Sequence, residues 1–239
     1  MTTTSAPDSA LVVAVRAALA SAGDPVRAAG QQRYMRSSMP YRGLTSPELR
    51  ALLRPLLADP ALVPTTRPAW ERDVLALWDA AGYREERYAA IALTGARVAL
   101  QWQDPSALAL YRHLVVTGAW WDYVDVVAAD RVGPILLRHR AAVTPLLLSD
   151  AVDPSLWVRR TAILAQLKHR GDTDLHLLSE AVDVNLEGTT FGHEFFIRKA
   201  IGWALRQHAR VDPGWVRAFV DDRGERLSGL SRREALKHL

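Results

Sequence analysis

The spacing of apolar residues predicts helices along almost the whole chain. Trp70, Val74, Leu77, Trp78 and Ala81 recur every three or four residues and form one apolar stripe of a helix. We find no persuasive run of the alternation of apolar and polar residues that is typical of a strand. The pattern therefore predicts about a dozen helices, over residues 8–22, 25–37, 47–58, 68–82, 84–101, 105–116, 119–139, 141–150, 155–169, 173–182, 193–209, 213–222 and 231–239.

Several predicted helix starts carry a capping residue followed by proline. Asp or Ser at the N-cap accepts hydrogen bonds from free backbone N–H groups, and proline suits the first helical position. Five such pairs occur: Asp24-Pro25, Ser46-Pro47, Asp104-Pro105, Asp153-Pro154 and Asp212-Pro213. Ser231 and Glu234 have the spacing of a capping box for the last helix. Residues Ser37–Ser46 have the most loop-like composition in the interior of the chain.

The short breaks between these helices bear on the fold class. Short connections favour antiparallel neighbours, and many helix pairs in series favour an all-α protein of the α-solenoid type. No clean sequence period aligns, so a compact orthogonal bundle is the alternative. We expect residues 1–7 to be disordered and residues 8–239 to form a single domain.

Composition excludes several classes of protein and site. Hydrophobic residues make up 49% of the 239 residues, enough for a substantial core, but no apolar run approaches the roughly 20 residues of a membrane span. The chain starts without a secretory signal, so we expect a cytoplasmic protein with no membrane contact. It has no cysteine, which removes thiolate catalysis and thiolate metal sites. Its seven histidines are scattered and no phosphate-binding glycine loop occurs, so we expect no metal and no cofactor.

Charge is distributed unevenly along the chain. Residues 1–130 hold 13 basic and 13 acidic side chains, whereas residues 131–239 hold 17 and 13, so the whole net charge of +4 lies in the second part. This bias is compatible with binding nucleic acid, and a solvated surface explains it equally well.

The segment WWDYVDVVA, Trp120–Ala128, combines indoles with carboxylates. Trp121 and Asp125 are four residues apart, so on a helix they share one face. A carboxylate beside an indole on a concave surface suits a positively charged sugar or base. The alternative is structural, with the tryptophans in the core and Asp125 paired with a nearby arginine.

Arg159 and Arg160 follow Trp157 near the start of the next long helix. Helix starts offer free backbone N–H groups to a phosphate, so the two arginines are candidates for binding an anion. Leu164 and Leu167 share the side of Arg160, which places this arginine at the edge of an apolar face. A solvated arginine pair is the alternative.

A mixed aromatic and basic stripe follows in Phe195–Arg210. Phe196, Lys199, Trp203 and Arg206 recur at helical spacing, which suits a helix facing DNA. The alternative places Phe196 and Trp203 in the core, with the stem of Lys199 reaching to solvent.

Four blocks in the second half of the chain together resemble the AlkD-like family of alkylpurine DNA glycosylases, which are built from HEAT-like helical repeats. These blocks are Trp120–Ala128, Leu156–Arg170, Phe195–Arg210 and Leu230–Leu239. A weaker match covers Arg33–Arg50. The resemblance implies an α-solenoid of antiparallel helix pairs curved around a concave DNA-binding face.

The resemblance also implies roles for individual residues. The second tryptophan and last aspartate of the first block are Trp121 and Asp125, in the lesion cleft, with Asp125 as the catalytic carboxylate. Trp203 matches the cleft tryptophan of a later block, and Tyr34 matches a tyrosine near the DNA. The expected DNA contacts are the basic residues of the matching blocks and of the loop, namely Arg160, Arg159, Lys199, Arg206, Lys168 and Arg42. Tyr41 and Arg42 depart from the family's loop.

The implied activity is hydrolysis of the N-glycosidic bond of cationic N3- or N7-alkylated purines in duplex DNA, by a monomer that leaves an abasic site. An alkylated purine carries positive charge and leaves readily, so a carboxylate is the main requirement. No lysine is placed as an obvious Schiff-base nucleophile, so a monofunctional enzyme is expected, associated with the nucleoid when bound. Whether the lesion is extruded or stays stacked is open. The alternatives are a non-catalytic HEAT-repeat protein that binds damaged DNA, and a protein–protein scaffold.

Overall fold

The structure is a computed structural model that describes residues 7–239, and these residues form helices and turns without a strand. The all-α prediction is confirmed. The helices fall into two compact units, one ending at Trp102 and the other beginning at Gln103. Residues 1–6 of the predicted disordered start lie outside the described residues. The single domain over residues 8–239 stays a prediction.

The first unit contains five α-helices followed by a 3-10 helix. Its elements are α1 (Ala10–Ser21), α2 (Pro25–Met35), α3 (Ser46–Leu56), α4 (Arg67–Asp79), α5 (Arg84–Thr94) and the 3-10 helix Arg97–Trp102. α4 packs against α5, and α1 packs against α3, α4 and α5. The predicted apolar stripe is confirmed on α4, where Trp70, Val74, Leu77 and Trp78 are fully buried. Ala81 lies beyond the end of this helix.

The second unit contains nine α-helices. They are α6 (Leu108–Gly118), α7 (Trp121–Val127), α8 (Gly133–Arg138), α9 (Arg140–Asp150), α10 (Leu156–Leu164), α11 (Leu175–Asp183), α12 (Phe195–His208), α13 (Pro213–Arg223) and α14 (Gly229–Ala235). Short 3-10 helices cover Pro105–Ala107, Arg170–Asp172 and Gly224–Arg226. Helices adjacent in sequence pack together, α6 on α7, α8 on α9 and α10 on α11, as the predicted α-solenoid requires. The helix predicted over residues 119–139 is divided by a π-helical turn, Ala128–Val132.

Three of the five predicted N-caps are confirmed. Asp24, Asp104 and Asp212 each accept a hydrogen bond from a backbone N–H in the first turn. The prediction of Ser46 as an N-cap is wrong by one residue, because Thr45 is the N-cap of α3 and forms a capping box with Glu48.

The Asp153-Pro154 prediction is also wrong, because α10 begins only after Ser155. The Arg159 guanidinium explains this start. Its Nε donates to the Asp153 carbonyl at 2.6 Å and its Nη2 to the Val152 carbonyl at 3.1 Å, which holds both outside the helix. The Asp153 carboxylate instead accepts from the Ser155 N–H at 2.7 Å.

The predicted capping box of the last helix is wrong as well. α14 begins at Gly229 with Ser228 as its N-cap, so Ser231 lies inside the first turn. The Ser231 hydroxyl donates to the carbonyl of Arg198 on α12 at 2.9 Å. Tertiary contact with α12 therefore uses the group that the local pattern assigned to a cap.

The predicted loop is confirmed as irregular over residues 37–45, and a buried carboxylate holds it. Glu85 of α5 accepts hydrogen bonds from the backbone N–H groups of Arg42, Gly43 and Leu44, at 2.9, 2.9 and 3.3 Å. Gly43 has a φ of +94°, and a Cβ there would lie 2.1 Å from the Asp24 carbonyl oxygen. Glu85 thus ties this loop, and through it the start of α2, to α5.

Glu85→Gln is expected to lower the free energy of unfolding by about 1–3 kcal/mol. The amide has one acceptor oxygen, and its NH₂ group faces backbone donors that a carboxylate satisfies. Urea unfolding of the variant beside wild type measures the difference. Glu225→Gln is the control, because Glu225 is exposed and such changes stay within about 0.5 kcal/mol. Equal midpoints for the two variants would contradict this role.

Candidate functional site

Asp125 and Arg160 form a buried ion pair in the second unit. Arg160 Nε donates to Asp125 Oδ1 at 2.7 Å and Nη2 donates to Oδ2 at 2.8 Å. The side chains are only 5% and 13% exposed. Arg160 Nη1 also donates to the carbonyl of Phe196. One guanidinium therefore connects α7, α10 and the first turn of α12.

Packing of α10 between two other helices positions this pair. α10 contacts both α7 and α12, and its residues from Val158 to Leu164 are buried. Gly133, at the start of α8, lies so close to α10 that a Cβ would be 2.3 Å from the Ala165 carbonyl oxygen. His169 Nε2 lies 2.9 Å from the Gly133 carbonyl oxygen. These contacts hold the continuation of α7 against α10, so Asp125 stays opposite Arg160.

An aromatic cluster lies beside the ion pair. The rings of Trp120, Trp157 and Phe196 lie 5.0–6.1 Å apart, centroid to centroid. The Phe196 ring is 5.9 Å from the Arg160 guanidinium carbon. Phe195 packs edge-on against Phe196 at 5.4 Å and remains 57% exposed. The pair thus lies beside an aromatic cluster with one ring open to solvent.

Sequence reasoning did not select Trp120, Trp157 or Phe195 as site residues. A signal was available for Trp157, which precedes Arg160 by three residues and therefore lies on the same side of a helix. For Trp120 and Phe195 the only signal was the neighbouring aromatic residue in each block.

Burial raises the pKa of Asp125 above the ordinary value of an aspartate. The hydrogen bonds and charge of Arg160 act in the opposite direction, and the charge of Asp122 adds to the increase. Because two N–H groups of a permanently charged guanidinium contact the carboxylate, we take Asp125 to be ionised at neutral pH. The site therefore holds a poorly hydrated carboxylate in a fixed position, with its negative charge partly offset by Arg160.

The two predicted cleft tryptophans lie on different helices of this unit. Trp121 is the first residue of α7, half-buried, and four residues before Asp125. Trp203 of α12 is half-buried and packs against the apolar core of the unit. Part of Trp203 is therefore in the core, as the structural alternative proposed, and part of its surface remains accessible.

The two adjacent arginines are both buried, so neither is the solvated residue that the alternative proposed. Arg159 donates to two backbone carbonyls and, at 3.2 Å, to the amide oxygen of Asn185. These bonds occupy its guanidinium, so a structural role fits Arg159, and its phosphate contact stays a prediction. Arg160, likewise buried, contacts Asp125 instead of solvent.

The other basic candidates of this unit are ion-paired at its surface. Lys199 and Arg206 share the carboxylate of Glu234 on α14, with 2.9 Å between Lys199 Nζ and Oε1. Lys168 pairs with Asp130 and is 66% exposed. Lys168 and Lys199 remain candidates for phosphate contact, because exposed ion pairs are weak enough to exchange partners. The side chain of Arg206 is only 19% exposed, and its phosphate contact stays a prediction.

Two predicted residues belong to the first unit. Tyr34, on α2, is 80% exposed, as expected of a residue that contacts a partner. Arg42 lies in the loop held by Glu85, with its guanidinium carbon 3.7 Å from the centroid of the Tyr83 ring and its Nη2 4.0 Å from Glu86. Arg42 is therefore engaged within its own unit.

Residues 7–239 show neither a metal site nor a membrane span. They contain no group of three or more His, Cys, Asp or Glu side chains arranged to hold a metal ion. None of the helices in this part of the chain combines the length and the apolar character needed to cross a membrane.

Comparisons with known proteins agree with this architecture. The model of a family described as DNA alkylation repair enzyme matches residues 15–239. A solved structure entitled "Predicted DNA alkylation repair enzyme from Enterococcus faecalis" superposes with a TM-score of 0.79 at 29% sequence identity. That match covers 91% of this chain and 96% of the other. None of the curated proteins compared with the chain matches it. Because the family model spans nearly its whole length, the chain belongs to the family of DNA alkylation repair enzymes.

Proposed function

We propose that this protein is a monofunctional DNA glycosylase that removes cationic N3- or N7-alkylated purines from duplex DNA and leaves an abasic site. The observation that carries the proposal is Asp125, a carboxylate held by Arg160 beside an aromatic cluster, in a member of a DNA alkylation repair family. The proposed partner is double-stranded DNA containing the lesion, bound by a monomer.

The proposed reaction needs a stabilised cation more than it needs an acid. The alkylated purine already carries positive charge, so it departs without protonation, and the sugar gains oxocarbenium character in the transition state. Asp125 stabilises that charge and orients or deprotonates the attacking water. Its side chain is 13% exposed, and the proposed contact uses that exposed part.

Arg160 acts in this mechanism as a positioning residue. Its bidentate contact fixes the plane of the carboxylate, and its third nitrogen fixes the first turn of α12 through the Phe196 carbonyl. A preorganised carboxylate spends no free energy on reorientation during the reaction. This role replaces the phosphate contact expected from the sequence.

The test is base release from a duplex with a single 7-methylguanine. We expect free 7-methylguanine by chromatography and, after treatment with alkali, a strand break at the resulting abasic site. An otherwise identical duplex with guanine is the control. Strand cleavage before alkali treatment would contradict the monofunctional assignment.

A non-catalytic DNA-binding protein is the second candidate, and the same ion pair favours it. Both carboxylate oxygens of Asp125 accept hydrogen bonds from Arg160, an arrangement that also serves to join α7 to α10. Salt-sensitive binding to the 7-methylguanine duplex without release of the base would select this candidate.

The pH dependence of base release is expected to follow Asp125. The methylated base is cationic on the acidic side of neutrality, so the carboxylate controls the acidic limb of the profile. Because burial raises the pKa of Asp125, activity should be full above the raised pKa and fall as pH decreases through it, at a higher pH than an ordinary aspartate would give. Single-turnover rates across the pH range measure the limb. A rate of base release that falls only at the ordinary pKa of an aspartate would contradict the assignment of the acidic limb to Asp125.

Trp203→Ala tests whether this indole also contacts the lesion. Because Trp203 is half-buried against the core, we expect a loss of stability below the roughly 3–5 kcal/mol of a fully buried aromatic residue. Base release should fall more for a cationic lesion than for a neutral one, since a cation–π contact requires the charge. Trp215→Ala is the matched control, because Trp215 is half-buried against the same core. Equal effects of both substitutions on base release would assign Trp203 to the core alone.

A further inference from the structure

A cleft lies in the same unit and shares no residue with the Asp125–Arg160 pair. It has a volume of about 590 Å³, within the range of ligand-binding clefts. The cleft lies between the C-terminal ends of α10 and α12. The turns that follow these two helices and one residue of α11, Leu178, complete its wall. Its floor is apolar, formed by Ile163, Leu167, Leu178, Ala204 and Val211.

The charged side chains that line this cleft are all basic. They are Lys168, Arg170 and Arg210, and no aspartate or glutamate belongs to the lining. Lys168 pairs with Asp130, whereas neither arginine has an ion-pair partner within residues 7–239. Two unpaired guanidinium groups beside one cleft favour an anion with several oxygens, because guanidinium binds phosphate in a bidentate manner.

A buried polar side chain provides an independent indication. His208 lines the cleft and is only 7% exposed, yet neither of its ring nitrogens has a hydrogen-bond partner in the described part of the chain. The ring packs edge-on against Trp215 at 5.2 Å between centroids. Buried polar groups in proteins are nearly always hydrogen-bonded, to ligand or water where not to protein. Burial lowers the pKa of His208, so its neutral ring carries one donor and one acceptor. Both nitrogens are shielded from solvent, so the ring must turn to present them to a ligand in the cleft.

The available amide in the cleft is Gln207. Gln166 is occupied, since its amide accepts from the Asp174 N–H at 2.7 Å and donates to the Asp174 carbonyl at 3.0 Å. Gln207, one residue before His208, makes no side-chain hydrogen bond within residues 7–239. An amide and a neutral imidazole next to an apolar floor suit a flat ring with polar edges.

We propose that this cleft binds a nucleotide, with its phosphate on Arg170 and Arg210 and its base on the apolar floor near Gln207 and His208. A nucleotide of a bound DNA strand and a free mononucleotide have this chemistry in common. The site is separate from the proposed hydrolysis at Asp125, so its occupation does not depend on base release.

The experiment is a titration of the ¹⁵N-histidine-labelled full chain with dAMP, followed by the ring-nitrogen resonances of His208. The His208→Gln variant assigns these resonances among the seven histidines. We expect dAMP to shift them, and the double variant Arg170→Ala/Arg210→Ala to weaken dAMP binding by about tenfold or more. Arg217→Ala is the matched control, because Arg217 is an exposed arginine of the same unit outside the cleft.

Two further titrations identify the source of the nucleotide. An undamaged duplex that shifts the same resonances, in competition with dAMP, identifies a strand nucleotide, whereas a response to dAMP alone identifies a free one. Resonances of His208 that do not move at millimolar dAMP would overturn the proposal, as would equal dAMP affinity of the double variant and the Arg217→Ala control. Base release from the 7-methylguanine duplex, assayed on the wild-type protein, fails or succeeds independently of these results.

Discussion

Asp125→Asn is expected to slow single-turnover release of 7-methylguanine by on the order of 10²-fold or more in the folded protein. The amide removes the negative charge that stabilises the oxocarbenium-like transition state, and losses of this size follow the removal of one such electrostatic contact. The substitution also leaves Arg160 buried without its counterion. We therefore expect a second effect, a loss of stability of up to about 3–5 kcal/mol.

These two effects are separated by a matched substitution. Asp183 forms a bidentate pair with Arg223, at 3.0 and 2.7 Å, in the same unit and outside the aromatic cluster. Asp183→Asn should lower the melting temperature without slowing base release per folded molecule. Rates are measured well below both melting temperatures, with the folded fraction taken from circular dichroism. A folded Asp125→Asn protein within a few-fold of the wild-type rate would remove Asp125 from the mechanism.

Arg160→Ala is expected to lower the free energy of unfolding by about 3–5 kcal/mol. It leaves the Asp125 carboxylate buried without a counterion, and it removes the hydrogen bond to the Phe196 carbonyl on α12. With the guanidinium gone, the pKa of Asp125 should rise further, because Arg160 is the group that opposes burial. The acidic limb of base release should therefore move to higher pH.

DNA affinity distinguishes this role from the phosphate contact that the sequence suggested. A buried Arg160 that contacts Asp125 should leave the affinity of the folded variant for undamaged duplex, and its salt dependence, close to wild type. Arg223→Ala breaks the more exposed pair with Asp183 and controls for the general cost of removing an arginine. Unchanged stability with weaker binding and a shallower salt dependence would show that Arg160 leaves Asp125 to bind a phosphate.

The helical architecture was largely predictable, because local physical chemistry determines it. The apolar stripe of α4 and the caps at Asp24, Asp104 and Asp212 depend on contacts within a few residues. Prediction failed where a distant group competes for the same atoms. Arg159 holds two carbonyls ahead of α10, and the Ser231 hydroxyl bonds to α12 instead of capping its own helix.

The sequence predicted the residue types of the candidate site better than it predicted which of these residues contact each other. Helical spacing predicted that Trp121 and Asp125 share one face of a helix, and the possibility that Asp125 pairs with an arginine followed from residue types alone. Helix packing decided which arginine pairs with Asp125. Arg159 and Arg160 are neighbours with equivalent local patterns, yet one contacts Asn185 and the other Asp125, because they point to different sides of α10.

The sequence by itself determined which segments become helices and which residue types carry the chemistry: a carboxylate, indoles and an excess of arginine. These properties follow from periodicity, capping and side-chain character, which act over one or two turns. The tertiary structure decided that Arg160 is buried against Asp125, that Lys199 and Arg206 share Glu234, and that Trp120 and Trp157 join Phe196. Such contacts join residues 28 or more positions apart, as in the Arg206–Glu234 pair, so they depend on how helices pack and no local pattern specifies them.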